Sequence, residues 1–259
     1  MDLLTAPSSD AGAATDREGL QARGIGVHFA GLRAVDSVDL DLRAHEILGL
    51  IGPNGAGKTT LVNALTGFQR CDGTLSADGV DLTGSSPRRL SRRGIRRTFQ
   101  NVRLFADMTV YENVEVVALG LGLKGHKARA ASYEILAWSG LDHLTDSTAG
   151  SLPYGLERRL GIARVLVAEP RYVLLDEPAA GLNESECDEL LALLRDVPQR
   201  FGCGLMVIEH DMRLIMRLCN RIHVINYGRT LAVGDPADVR RNPAVIEAYL
   251  GGTAASQHG

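Results

Sequence analysis

Apolar residues follow two different spacings along this chain. In Val38–Leu42, "VDLDL", apolar and acidic positions alternate with the period of a half-buried strand. Glu46–Ile51, "EILGLI", is a more continuous apolar run, suited to a strand covered on both faces. Tyr172–Asp176, Leu205–Glu209 and Arg221–Asn226 read as further strands, with an amphipathic helix over Glu184–Asp196 between the first two. Buried strands alternating with helices predict an α/β fold with a mainly parallel sheet. From about Val102 to Val167 the period is helical. Within that stretch Leu156, Leu160, Ala163 and Val167 share one helix face, and Arg158 and Arg159 fall on another.

The two ends of the chain differ from this middle. Thr74–Leu82 reads as a hairpin turning at Asp78-Gly79, so an antiparallel piece precedes the helical region. A second hairpin is expected in "YGRTLAVG", residues 227–234. Asp235-Pro236 and Asn242-Pro243 each resemble an N-cap followed by proline at the first helical position. Gly251 should terminate the closing helix "PAVIEAYL". Residues 1–19 and 252–259 are small and polar and are expected to be disordered tails around one domain, 20–251.

Composition narrows the class. Hydrophobic residues make up 45% of the 259, enough for a sizeable core, and a net charge of −3 gives no bulk attraction for nucleic acid. Arg88–Arg97 carries six arginines, read here as a solvated helix face. Cys71, Cys187, Cys203 and Cys219 contain no C-x-x-C pair and read as reduced thiols. The most apolar stretch, Val114–Leu123, is too short for a bilayer-spanning helix, and the start lacks the pattern of a signal peptide.

The chemistry concentrates in "GPNGAGKTT". Gly52-Pro53-Asn54-Gly55-Ala56-Gly57-Lys58-Thr59 fits G-x-x-x-x-G-K-[ST] between a strand and a helix predicted from about Lys58 to Leu65. Its glycines let backbone N–H groups surround phosphate oxygens, and the helix presents its positive end to the same anion. Lys58 can place its ammonium on the β- and γ-phosphates, and Thr59 can offer a hydroxyl to Mg²⁺. Asp176 ends the strand "YVLLD", at the sheet edge where ligands bind in open α/β folds, and can hold the metal shell. Glu177 follows it and can accept a proton from an attacking water. His210 stands at the same kind of strand edge.

Together "GPNGAGKTT", "TFQ", "LPYGLERRLGIARVLV", "YVLLDEPAAGLN" and "VIEHDM" resemble, in order, the motifs of an ABC-type ATPase over roughly Gln21–Gly251. The resemblance implies a P-loop NTPase (RecA-like) core, an N-terminal antiparallel β subdomain and an inserted helical subdomain, about 102–167. It implies ATP and Mg²⁺ as cofactors. Phe29 would stack on adenine, Gly52 to Thr60 would form the Walker A loop, and Gln100 would reach the metal and sense a transmembrane partner. Asp176 would be the Walker B aspartate, Glu177 the catalytic base and His210 the switch histidine.

Leu152–Leu156 occupies the signature position, where one subunit caps the nucleotide held by another. Pro153, Tyr154 and Leu156 depart from the usual LSGGQ, Gly155 is kept, and Asn183 stands where many relatives have an aspartate. The result expected is a weakened but usable cap. "RRTFQNVRLFADMTVYENV" and the closing "NPAVIEAYLG" look like the ATPases of branched-chain amino acid importers; urea importers and lipopolysaccharide exporters share the tail style. The implied partners are permease subunits, a second ATPase subunit and, indirectly, a substrate-binding protein, at the cytoplasmic face of the cell membrane.

Overall fold

The computed structural model describes residues 19–99 and 103–255, with side chains described as far as Tyr249. Chain order is β1 (Leu20–Phe29), β2 (Leu32–Leu42), β3 (Ile47–Ile51), α1 (Lys58–Leu65), β4 (Asp72–Ala77), β5 (Val80–Asp81), α2 (Pro87–Arg92) and β6 (Ile95–Arg97). Three helices follow, α3 (Val110–Gly120), α4 (His126–Trp138) and α5 (Tyr154–Leu166). The second half runs β7 (Tyr172–Asp176), α6 (Glu184–Phe201), β8 (Gly204–Ile208), α7 (Met212–Leu218), β9 (Arg221–Asn226), β10 (Arg229–Gly234), α8 (Pro236–Arg241) and α9 (Pro243–Ala255).

Six strands form one sheet in the order β10-β9-β3-β8-β7-β6, parallel throughout except for the β9–β10 hairpin. The other four form an antiparallel sheet, β2-β1-β4-β5. The continuous apolar runs of β3, β7 and β8 are buried on both faces, for a simple geometric reason. Alternate side chains point to opposite sides of the sheet. Val173 and Leu175 join Leu205 and Val207 in a core shared with α3 to α7. Tyr172 and Leu174 join Met206 and Ile208 in a second core with α1 and the antiparallel sheet.

Local signals set most boundaries. Helix α6 starts at a capping box between Asn183 and Glu186, but it runs past the expected Asp196 to Phe201 and ends at Gly202, whose φ is 60°. Pro198 sits in its last turn, where the lost N–H removes a single helical bond. Strand β8 begins one residue early, at Gly204, and leaves Glu209 outside it. Helix α9 continues through Gly251 to Ala255, so that glycine does not terminate it; glycine accepts helical angles at a cost of about 1 kcal/mol. Residues 1–18 lie outside the described residues, as does Val102 at the expected start of the helical stretch. Arg158, set by its spacing off the apolar face of α5, is nevertheless buried at 6% exposure, and Tyr154 one turn earlier supplies its guanidinium with an oxygen.

Candidate active site

The loop between β3 and α1 is held by close backbone approaches. A Cβ on Gly52 would lie 2.1 Å from the Ile225 carbonyl oxygen, and one on Gly57 would lie 2.4 Å from that of Ala34. Gly57 also has φ 100°, a left-handed angle that disfavours any side chain. Ala56 donates to Pro53 O at 3.1 Å and accepts from Gly228 N at 2.9 Å, so the loop is braced by the β9–β10 turn. Helix α1 has no side chain capping its first turn, which leaves N–H donors available to an anion. The Lys58 ammonium donates to Gly52 O at 2.6 Å and Pro53 O at 3.0 Å. Burial pushes its pKa down, against the pull of Glu177 and Asp176. Asn54, Gly55 and Thr59 are exposed, and Pro53 and Thr60 half-buried.

Asp176 and Glu177 emerge at the carboxyl end of β7. Glu177 has φ 46°, a strained angle for a residue with a side chain, and its N–H donates to Ile208 O at 2.9 Å. His210 Nδ1 lies 4.0 Å from Glu177 Oε1 and 3.7 Å from Glu209 Oε2. The structure thus brings together Lys58, Asp176, Glu177 and His210. Sequence reasoning missed Glu209, which is 2% exposed. Its Oε1 accepts from Ala179 N at 3.0 Å and its Oε2 from His210 N at 3.3 Å, tying the chain after β7 to the chain after β8. Burial pushes its carboxyl pKa up. A carboxylate ending an apolar strand, as in Asp176, was the available signal.

Arg97 was missed as well. Its Nη2 donates to Asp176 Oδ2 at 2.6 Å and its Nη1 to Asn63 Oδ1, with the Arg97 side chain 5% exposed. Its guanidinium also stands over the Phe99 ring, 5.1 Å from the centroid. Asp176 N in turn donates to Thr98 Oγ1 at 3.2 Å. Within a run of six arginines no local pattern separates Arg97 from its neighbours; Arg88, Arg89, Arg92 and Arg93 are indeed exposed.

The segment leading into α5 has Pro153 at the N-cap, with φ −56°. Tyr154 donates to Ala180 O at 3.0 Å and accepts from Arg158 Nε at 3.0 Å. Gly155 follows in the first turn, where a Cβ would meet Glu186 Oε1 at 2.8 Å. Phe29 is exposed at the end of the β1–β2 hairpin, the hairpin whose Ala34 carbonyl abuts Gly57. Gln100 lies outside the described residues.

The donor set fits a hard, oxygen-seeking cation: one hydroxyl, Thr59, and one carboxylate, Asp176, with phosphate oxygens left to complete the shell. No cluster of three or more His, Cys, Asp or Glu side chains able to hold a metal occurs among the described residues. A cavity of about 500 Å³ opens beside Asp176, between α5 and the β6 edge, with Phe68, Phe99 and Arg164 on its wall.

A family model described as "ABC transporter" matches residues 35–180, from β2 through the loop to just beyond Glu177. The chain belongs to the ABC transporter family. A second model, "Branched-chain amino acid ATP-binding cassette transporter", matches residues 229–255 of this ABC transporter chain, from β10 to α9. The high-affinity branched-chain amino acid transport ATP-binding protein BraF of Pseudomonas aeruginosa is 41% identical, over 90% of this chain and 97% of the relative. The corresponding protein LivG of Escherichia coli is 44% identical over the same shares. The crystal structure of the ADP conformation of MJ1267, an ATP-binding cassette of an ABC transporter, superimposes with a TM-score of 0.83 at 28% identity, covering 90% of this chain and 99% of that one. The ABC ATPase fold expected from the motifs is therefore the fold observed.

Proposed function

We propose that this chain binds and hydrolyses ATP to power import of branched-chain amino acids, as a peripheral subunit at the cytoplasmic face of the cell membrane. The observation that carries this reading is the convergence of Lys58, Asp176, Glu177 and His210 at one edge of the parallel sheet, with Glu177 and His210 4.0 Å apart. The substrate rests on the match of residues 229–255 and on the names of the relatives above. No helix among the described residues is long and apolar enough to cross a membrane, so the reading needs permease partners to form the path.

The chemistry is phosphoryl transfer to water, driven by positioning and charge stabilisation. The uncapped first turn of α1 and the Gly52–Thr60 backbone receive the phosphates. Lys58 exchanges its two carbonyl partners for phosphate oxygens. Thr59 and Asp176 would hold Mg²⁺, which would supply positive charge against the phosphates. Phe29 offers its exposed ring to adenine. Glu177 takes the proton of the attacking water, and His210, held by the Glu209-anchored loop, contacts the γ-phosphate. Gly155 and the start of α5 would cap the nucleotide of a second ATPase subunit, and the family resemblance assigns Gln100 to sensing the metal and the permease. A substrate-binding protein outside the membrane supplies the amino acid to the permeases.

The deciding experiment is labelled leucine uptake in the native cell, comparing wild type with Glu177→Gln at matched expression and without a redundant importer. Uptake should collapse in the variant. Unchanged uptake would remove branched-chain amino acids as the cargo while leaving the ATPase assignment to be judged by phosphate release.

A further inference from the structure

Asp176, the carboxylate assigned above to the metal, already has a cation. Arg97 reaches it from the edge strand β6, and both side chains are almost fully buried. The same guanidinium bonds Asn63 on α1, the helix that follows the phosphate loop. It also stacks on Phe99, whose ring packs edge-on against Phe68 at 5.4 Å on the cavity wall. Arg97 therefore joins the metal carboxylate, the phosphate-loop helix and the cavity. A fixed positive charge 2.6 Å from one oxygen of Asp176 occupies one of the carboxylate's acceptor sites and repels a second cation.

We propose that Arg97 is a positioning residue that acts through Asp176 as a resident counter-ion, competing with Mg²⁺ and holding down the affinity of the site for it. Mg²⁺ then enters only together with the negative charge of the nucleotide phosphates, which offsets the guanidinium. Because Arg97 rests on Phe99, whatever fills the cavity bears on how tightly Asp176 is held. This inference rests on the assignment of Asp176 to the metal.

The test measures binding, not turnover, so it is made in a Glu177→Gln background with a fluorescent ATP analogue titrated at increasing Mg²⁺. Arg97→Gln removes the charge and keeps hydrogen-bond donors. It should lower the Mg²⁺ concentration for half-maximal binding about fivefold or more. Arg97→Lys, which keeps the charge, should stay within about twofold of the Glu177→Gln parent. Should Arg97→Gln not fold, Asn63→Asp gives the guanidinium a counter-ion of its own and should shift the Mg²⁺ requirement in the same direction. An unchanged or raised requirement in whichever variant folds overturns the proposal. Asp176→Asn separates the two readings. If it leaves the Mg²⁺ dependence untouched, the metal assignment itself fails. If it weakens that dependence while Arg97→Gln moves nothing, only the role of Arg97 fails.

Discussion

The Tyr154 hydroxyl donates to the carbonyl of Ala180 across 3.0 Å, fastening the start of α5 to the chain just past Glu177. The same oxygen accepts from the buried Arg158. A tyrosine where the family usually has a small residue thus joins two active-site segments within one subunit. Tyr154→Phe removes the bond to Ala180 and both bonds from the Arg158 guanidinium, and should cost about 1–3 kcal/mol. At this chain length that lowers the melting temperature by several degrees, at about 2–4 °C per kcal/mol. A melting temperature unchanged from wild type would show that the hydroxyl holds nothing.

Glu177→Gln preserves shape and removes the proposed proton acceptor. Phosphate release by the reconstituted complex should fall about 10²- to 10⁴-fold, with ATP still bound. Turnover equal to wild type would displace Glu177 as the base.

Gly57→Ala places a methyl group against the Ala34 carbonyl in a left-handed backbone. The nearest atoms, the Ala34 carbonyl oxygen and the Gly228 Cα, are backbone, so the loop itself must move. ATP affinity should drop more than about tenfold and stability by about 2 kcal/mol or more. Equilibrium binding and denaturant unfolding of the purified chain read the two effects.

His223 is buried in β9, its Nε2 2.9 Å from Thr230 Oγ1. Burial, reinforced by Arg221 and opposed by Asp41, pushes its pKa down to about 4. The folded state resists protonation, so this contribution is full above the ordinary histidine pKa and is lost as pH falls from about 6.5 towards 4. The loss approaches about 3 kcal/mol at pH 4. His223→Gln should flatten stability against pH in that window; an equally steep decline would assign the effect to other groups.

The strands and the phosphate loop were legible because their signals are local. Alternation, a glycine run and a following lysine all lie within about ten residues. The site's supports are not local. Arg97 and Asp176 are 79 positions apart, and only the pairing of β6 with β7 makes them neighbours. Helical spacing sets Arg158 off the Leu156–Val167 face, but it cannot show that a tyrosine oxygen one turn away lets the guanidinium be buried. Glu209 fell inside an expected strand, since an acidic residue after "LMVI" does not reveal whether two backbone N–H groups converge on it. Gly251 shows the opposite failure, a stop signal that the helix passes through.

The backbone angle of Glu177 has an evolutionary consequence. A left-handed residue with a side chain costs roughly 1 kcal/mol that glycine would recover. With Glu177 as the proposed base, selection for heat resistance alone would drift towards glycine at this position and return robust proteins that no longer turn over. On the proposed role, it is continued demand for turnover that keeps a carboxylate there.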